Sequence, residues 1–144
     1  MEKRLRELRA KQSRMIVGIE ADGLEGRIGA VLMRVGGSGD ETVLDLHAFR
    51  SATLGADSRA ALAAFGDAEP LEAEAQAQAN FLILHRINSL FFELLESAGL
   101  AADAIDLIGL KGLETGEREL PDDPGALSEM TGCIVASCFR IGPD

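Results

Sequence analysis

The apolar positions change period along the chain, and each change marks an element. Residues 2–13 place Leu5 and Leu8 three apart among charges, with Glu7 four residues before Lys11, which predicts a short amphipathic helix. MIVGIEA (15–21) is apolar and β-branched, and DGLEG (22–26) is turn chemistry, so a strand enters a hairpin here. IGAVLMRV (28–35) returns as a second strand and is stopped by GGSGD (36–40). ETVLDLHAF (41–49) alternates. It predicts a third strand, with Val43, Asp45, His47 and Phe49 on one face and Leu44, Leu46 and Ala48 on the other.

Helical spacing then takes over. Asp57 or Ser58 caps a short helix through ALAAF that stops at Gly66. Pro70 opens a long helix that reaches Ala98, with Gly99 just beyond its end. Its apolar stripe is Phe81, Leu84, Ile87, Phe91, Leu94, Leu95 and Ala98, which leaves Leu82 opposite and Phe92 on the flank as candidate partner-facing positions. AIDLIGL (104–110) is a near-continuous apolar run, as expected of a strand buried on both faces. KGLETGERELPDD (111–123) reads as a polar loop, PGALSEMTG as a short helix and CIVASCF as a last buried strand.

The implied order is an antiparallel three-strand meander, then two strands reached by helical crossovers and so parallel to their neighbour. The expected fold class is α/β: a mixed five-stranded sheet with flanking helices, in order β-β-β-α-β-α-β, filling one domain over residues 15–144. The length of 144 residues and the hydrophobic share of 47% are sufficient for one packed core. No apolar run approaches the ~20 residues of a membrane span. The charged start, MEKRLRELRAKQSR, lacks the apolar stretch of a secretory signal, so the expectation is a cytoplasmic domain with no membrane span.

Charge divides the chain in two. Residues 1–14 hold six of the fourteen bases and two of the twenty-four acids, a basic arm of net +4, helical or disordered. The remaining eight bases and twenty-two acids give the body a net charge of -14. Such a body repels phosphate backbones, and with neither Trp nor Tyr there is no stacking platform for single strands, so nucleic acid is not the expected partner. The arm suits an acidic surface, its own or a partner's, with Arg4, Leu5 and Leu8 as candidate contacts. Cys133 and Cys138 stand five apart on one strand and point to opposite faces, which makes them small buried hydrophobes and not a bridge or metal pair. His47 and His85 are the only histidines, and no zinc spacing exists. His47 reads as a half-exposed strand residue.

The element order resembles the ribonuclease-H-like fold shared by the actin, Hsp70 and sugar-kinase group. Three stretches, GIEADGLEGRIGAVLM (18–33), ESAGLAADAIDLIGLKG (96–112) and PGALSEMTGCIVASCFR (124–140), resemble the first domain of the anhydro-N-acetylmuramic acid kinases. That family carries a phosphate loop G-x-M-S-G-T-S-x-D-G, then I-D-L-I-G-S-H-G-Q-T, then P-x-x-I-A-E-x-T-G-x-x-V-V-x-D-F-R. The resemblance implies that Asp22, Gly23, Glu25 and Gly26 occupy the phosphate-loop position and that Lys111 and Gly112 occupy the second motif. The loop has lost its hydroxyls and gained two carboxylates, which repel a triphosphate. Lys111-Gly112-Leu113-Glu114 replaces H-G-Q-T, and the aspartate of V-x-D-F-R falls on Ser137 or Cys138. The family's second domain has no counterpart in these 144 residues.

The expectation is therefore a kinase-like domain without catalysis or cofactor, acting through a protein partner or self-association, with no small-molecule ligand. The alternative is a sugar-kinase half-enzyme, ATP-dependent and completed by a partner chain. A two-metal nuclease needs carboxylates at Glu20 or Asp22, at Glu93 or Glu96, and at the end of the fourth strand, where the sequence offers Asp106 near the start instead.

Overall fold

β1 (Ser13–Asp22) and β2 (Arg27–Gly36) form an antiparallel pair in continuous register from Ser13↔Gly36 to Asp22↔Arg27. A computed structural model of the chain describes residues 2–22, 26–37, 39–56, 60, 73–115, 118–119 and 124–137. β3 (Val43–Thr53) adds antiparallel to β2, and β4 (Leu107–Thr115) adds parallel to the other side of β1. β6 (Val135–Ser137) is parallel to β4, and a two-residue β5 (Arg118–Glu119) pairs antiparallel with the tip of the same β4 edge. The spatial order β3-β2-β1-β4-β6, with β2 antiparallel to both neighbours and β1, β4 and β6 parallel, is the ribonuclease-H-like arrangement. The fold class expected from the sequence holds, with the short β5 as a sixth strand.

Among the described residues three helices of a full turn or more accompany the sheet: α1 (Glu2–Ala10), α2 (Ala73–Ala98) and α3 (Pro124–Thr131). The core lies between the sheet and α2. Val17, Ile19 and Ala21 of β1, Ile28, Ala30 and Leu32 of β2, and Ile108 and Leu110 of β4 meet Ile83, Ile87, Leu90, Phe91, Leu94 and Leu95 of α2. Each fully buried Leu, Ile or Phe there contributes about 1.5–3 kcal/mol relative to exposure. α3 joins the core through Leu127, and its end is cross-tied to the chain entering β6. The Thr131 hydroxyl donates to the Leu127 carbonyl at 2.8 Å and accepts the Cys133 N–H at 3.2 Å, while Ser128 Oγ donates to the Cys133 carbonyl at 2.6 Å. No helix among the described residues is long and apolar enough to cross a membrane.

α2 ends where expected. Gly99 has φ +70°, its N–H bonds to the Glu96 carbonyl at 3.1 Å, and the Leu100 N–H reaches the Leu95 carbonyl at 3.0 Å, a closed helix terminus that needs the left-handed residue. The apolar stripe requires correction. Phe81 is 67% exposed and stacks on His85, and Ala98 is exposed, whereas Ile83 and Leu90, left out of the predicted stripe, are buried. The helix is rotated because Leu90 and Phe91 both face the sheet, which widens the apolar arc beyond a single row. β4 also differs from its predicted span. Residues 102–104 form a 3-10 turn, and the strand continues through Thr115 into the stretch read as polar loop, since pairing with β1 and β5 satisfies its backbone. The short helix expected after Asp57, apart from Ala56 and Ala60, and the residue Cys138 lie outside the described residues.

Candidate functional site

The positions that resemble kinase motifs lie on neighbouring strands: Asp22 ends β1, whereas Lys111 and Gly112 lie inside β4, which continues to Thr115. Gly26 closes the β1–β2 hairpin with φ +66°, and its carbonyl accepts the Leu54 N–H at 2.7 Å, tying the hairpin to the end of β3. Asp22 stands opposite Arg27 on one side and Glu114 on the other. Gly23 and Glu25 lie outside the described residues. Lys111 is in register with Glu20, and its Nζ donates to Glu20 Oε1 at 3.2 Å. Both side chains are more than half exposed, so this pair is worth at most about 1 kcal/mol, but it engages the cation of the second motif with a carboxylate. Gly112 follows in β4.

The carboxylates named for a nuclease are not brought together. Glu20 belongs to the sheet face turned away from α2, whereas Glu93 pairs with Arg50 and Arg86 on the α2 side. Asp106 is at the opposite end of the sheet, before β4, where it accepts the Met15 N–H at 2.9 Å and pairs with Lys11. Among the described residues no group of three or more His, Cys, Asp or Glu could hold a metal ion.

The face turned away from α2 carries the feature that the sequence pattern misplaced. Register pairs Leu32 with Ala48 but Met33 with Leu46, so His47 is an extra, bulged residue in β3. The bulge reverses the alternation on one side of it. Leu44 and Leu46 therefore share a face with Phe49, not with Ala48, which packs toward the core. Across this face, register sets Leu46 beside Met33, Ile16 and Leu107, and Phe49 beside Val31, Gly18, Gly109 and Ala136. Leu44, Leu46 and Phe49 are 64%, 77% and 71% exposed. Beside Phe49 lies a groove of about 370 Å³, floored by Gly18, Gly29 and Gly109 and bounded by Val31, Glu20 and Lys111. The ring leans over Gly29, 3.6 Å from where a Cβ would stand. Projection and groove thus occur side by side on one apolar face. Nothing in a single sequence marks a bulge, so this arrangement was not readable beforehand.

The basic arm is helical and folds onto its own domain. α1 buries no residue; Leu8 is half-buried, and Leu5 is 37% exposed. Arg14 caps its end, with Nε donating to the Leu8 carbonyl at 2.7 Å and Nη2 to the Arg9 carbonyl at 2.9 Å. Arg4 Nη2 reaches the Gly132 carbonyl at 3.4 Å, a long contact. Leu82 is half-buried, and Phe92 is 41% exposed on α2. Cys133 is buried, and burial pushes its thiol pKa above the usual 9.0, with the Thr131 hydrogen bond and the charge of Arg4 opposing by less.

No protein-family model and no curated protein matches the chain. Solved structures do. The chain is similar to a reductive activator for a corrinoid, iron-sulfur protein, with a TM-score of 0.47 and 13% identity, over 73% of this chain and 15% of that one. It is similar to an exopolyphosphatase-like protein at a TM-score of 0.46 and 13% identity, over 89% of this chain and 33% of that one. YeaZ from Pseudomonas aeruginosa aligns at a TM-score of 0.39 and 12% identity, over 87% and 42%. The chain thus spans less than half the length of each of these proteins. The fold assignment rests on strand order and direction.

Proposed function

We propose that this chain is a non-catalytic, kinase-like domain that works as an assembly subunit, and that it associates with a second copy of itself through the face bearing Leu44, Leu46 and Phe49. The observation that carries this reading is that apolar face. The three side chains offer about 350 Å² of exposed apolar surface per copy, so two copies with the flanking Met33, Ile16 and Leu107 bury about 1,000 Å², near the lower bound of a specific interface. A second copy is the occupant because Phe49 and the glycine-floored groove lie on the same face, the self-complementary arrangement that a two-fold contact requires. Charge agrees. The body carries -14, but Glu20, a carboxylate bounding this groove, is paired with Lys111, which offsets its charge where two copies would meet. A basic partner would be drawn to the acidic surface elsewhere.

The finer relationship, a degenerate first domain of an anhydro-N-acetylmuramic acid kinase, belongs to the same proposal. Its support is positional: the Asp22–Arg27 hairpin closes β1, and Lys111-Gly112 lie on the neighbouring β4, with Lys111 in register with Glu20. Absence of catalysis is supported by the chemistry of those positions, an acidic loop and a lysine held by Glu20.

Two measurements test the reading. Copies carrying different affinity tags, expressed together, are expected to co-purify; failure to do so at micromolar concentration contradicts self-association. Incubation with magnesium-ATP and 1,6-anhydro-N-acetylmuramic acid is expected to release no ADP above background, and steady turnover contradicts the non-catalytic assignment.

A further inference from the structure

Gly109 lies inside β4, yet nothing in its own copy calls for a glycine there. Its backbone is not left-handed, and a Cβ built on it would meet no described atom within 4 Å. An interior strand glycine forgoes side-chain packing and often marks a place where another group approaches closely. Register shows what stands in line with it. Across the sheet face turned away from α2, Phe49, Val31, Gly18, Gly109 and Ala136 form one row. Neighbouring strands are about 4.8 Å apart, so Phe49 stands roughly 10–14 Å along this row from the two glycines. Phe49 is 71% exposed, and the hollow of about 370 Å³ beside it has room for a benzyl group. The next row repeats the arrangement, with Leu46 on β3 in line with Ile16 on β1 and Leu107 on β4.

Two sheets that stack face to face lie about 10 Å apart, and in a two-fold pair the axis runs in the plane between them. An axis across the strands would set β3 over β3, bringing Phe49 against its own strand in the partner and leaving the glycines bare. An axis along the strands, just on the β1 side of β2, exchanges the two ends of each row. We infer that this second symmetry joins the copies: Phe49 of each seats on Gly18 and Gly109 of the other, and Leu46 of each comes down between Ile16 and Leu107. Val31 of the two copies meet beside the axis, and Ser51 faces the row of Glu20 and Lys111. The inference rests on the self-association proposed above and supplies its contacts. Side chains of stacked sheets interdigitate, so a phenyl ring needs a facing position without a side chain, and Gly109 provides one. Aligned sheets cross at about 30°, so contacts near the axis hold while distant ones splay apart. The Phe49 and Leu46 rows therefore carry the pairing.

Reciprocal substitution in the full chain tests this, read by sedimentation and by urea unfolding at a concentration where the copies are apart. The wild-type chain is expected to dimerise. Gly109→Val puts a β-branched side chain into open space on a strand, so the unfolding midpoint of the single copy is expected to hold. Its self-association is expected to weaken about tenfold or more, with Gly109→Ala weakening it less. Phe49→Ala is expected to weaken association to a similar degree. Mixing the two variants is decisive. In a mixed pair the open glycines of the Phe49→Ala copy receive the phenyl ring of the Gly109→Val copy, and the added valine faces the space left by the missing ring. The mixture is therefore expected to associate about fivefold more tightly than either variant alone. Wild-type dimerisation with unaltered strength in Gly109→Val, or no gain on mixing, overturns the seating of Phe49 and leaves the self-association reading in place. A monomeric wild-type chain overturns both.

Discussion

Replacing Asp106 with Ala should cost the domain far more than its place before an edge-proximal turn suggests. The carboxylate is 15% exposed, accepts the Met15 N–H at 2.9 Å, and pairs with the half-exposed ammonium of Lys11. Loss of a hydrogen bond to a charged acceptor, leaving a backbone donor unmatched where β1 begins, costs about 1.5–3 kcal/mol. The ion pair adds at most about 1 kcal/mol, because one partner is solvated. The sum, about 2–4 kcal/mol, lowers the melting temperature of a domain this size by roughly 5–15 °C. Asp106→Asn keeps an acceptor for Met15 and is expected to cost only about 0.5–1.5 kcal/mol, close to the effect of Lys11→Ala plus the weaker neutral bond. Urea unfolding at fixed protein concentration, repeated at 0.5 M salt, separates the contributions. Salt should erase the Lys11 effect and leave the difference between the Ala and Asn variants, since contact with the backbone is not screened. If Asp106→Ala costs less than about 0.5 kcal/mol, or if Asn is as damaging as Ala, the carboxylate does not tie the arm and β1 to the fold as described.

Other expectations follow from single positions. The double variant Leu46→Ser and Phe49→Ser removes side chains that are 77% and 71% exposed in one copy, so it should leave unfolding of the isolated chain within about 1 kcal/mol while weakening self-association at least tenfold by sedimentation. Gly37 has φ +74°, and a Cβ there would stand 2.2 Å from the Glu41 carbonyl oxygen, so Gly37→Ala should destabilise by more than about 2 kcal/mol; Gly39→Ala, at φ +58° with open space around it, should cost only about 1 kcal/mol. Cys133 gives a pH dependence with a definite sign. Its folded pKa is raised, so the unfolded chain loses the proton first; the thiol's contribution is complete below about 9 and declines as pH rises through the folded value. Denaturant unfolding of Cys133→Val should lack that alkaline decline, and an identical slope in wild type and variant would refute the assignment.

How much of this was legible in the sequence depends on the kind of signal. Strand order was readable because β-branched runs, Gly-rich stops and the Gly99 terminus are local and mutually consistent, and crossover geometry then leaves few arrangements. Faces were less readable. The alternation of residues 41–49 was real, but the extra residue at His47 inverted it, and a bulge is decided by the partner strand. The helical stripe failed at Phe81 for a related reason: spacing alone does not say which of two overlapping apolar arcs, one through Phe81 and one through Ile83 and Leu90, meets the sheet. Parallel pairing of β1 and β4 sets Lys111 beside Glu20 and Asp22 beside Glu114, so the second-motif position lies inside a strand where the sequence reads as loop.

The central claim is that the face carrying Leu44, Leu46 and Phe49 is completed by a second copy. Sedimentation equilibrium of the native chain at 1–100 μM (about the range that brackets a stable dimer) tests it most directly. The account predicts a mass of about twice 15.3 kDa that falls toward the monomer in the Leu46→Ser, Phe49→Ser variant. A wild-type mass of 15.3 kDa throughout that range would contradict it.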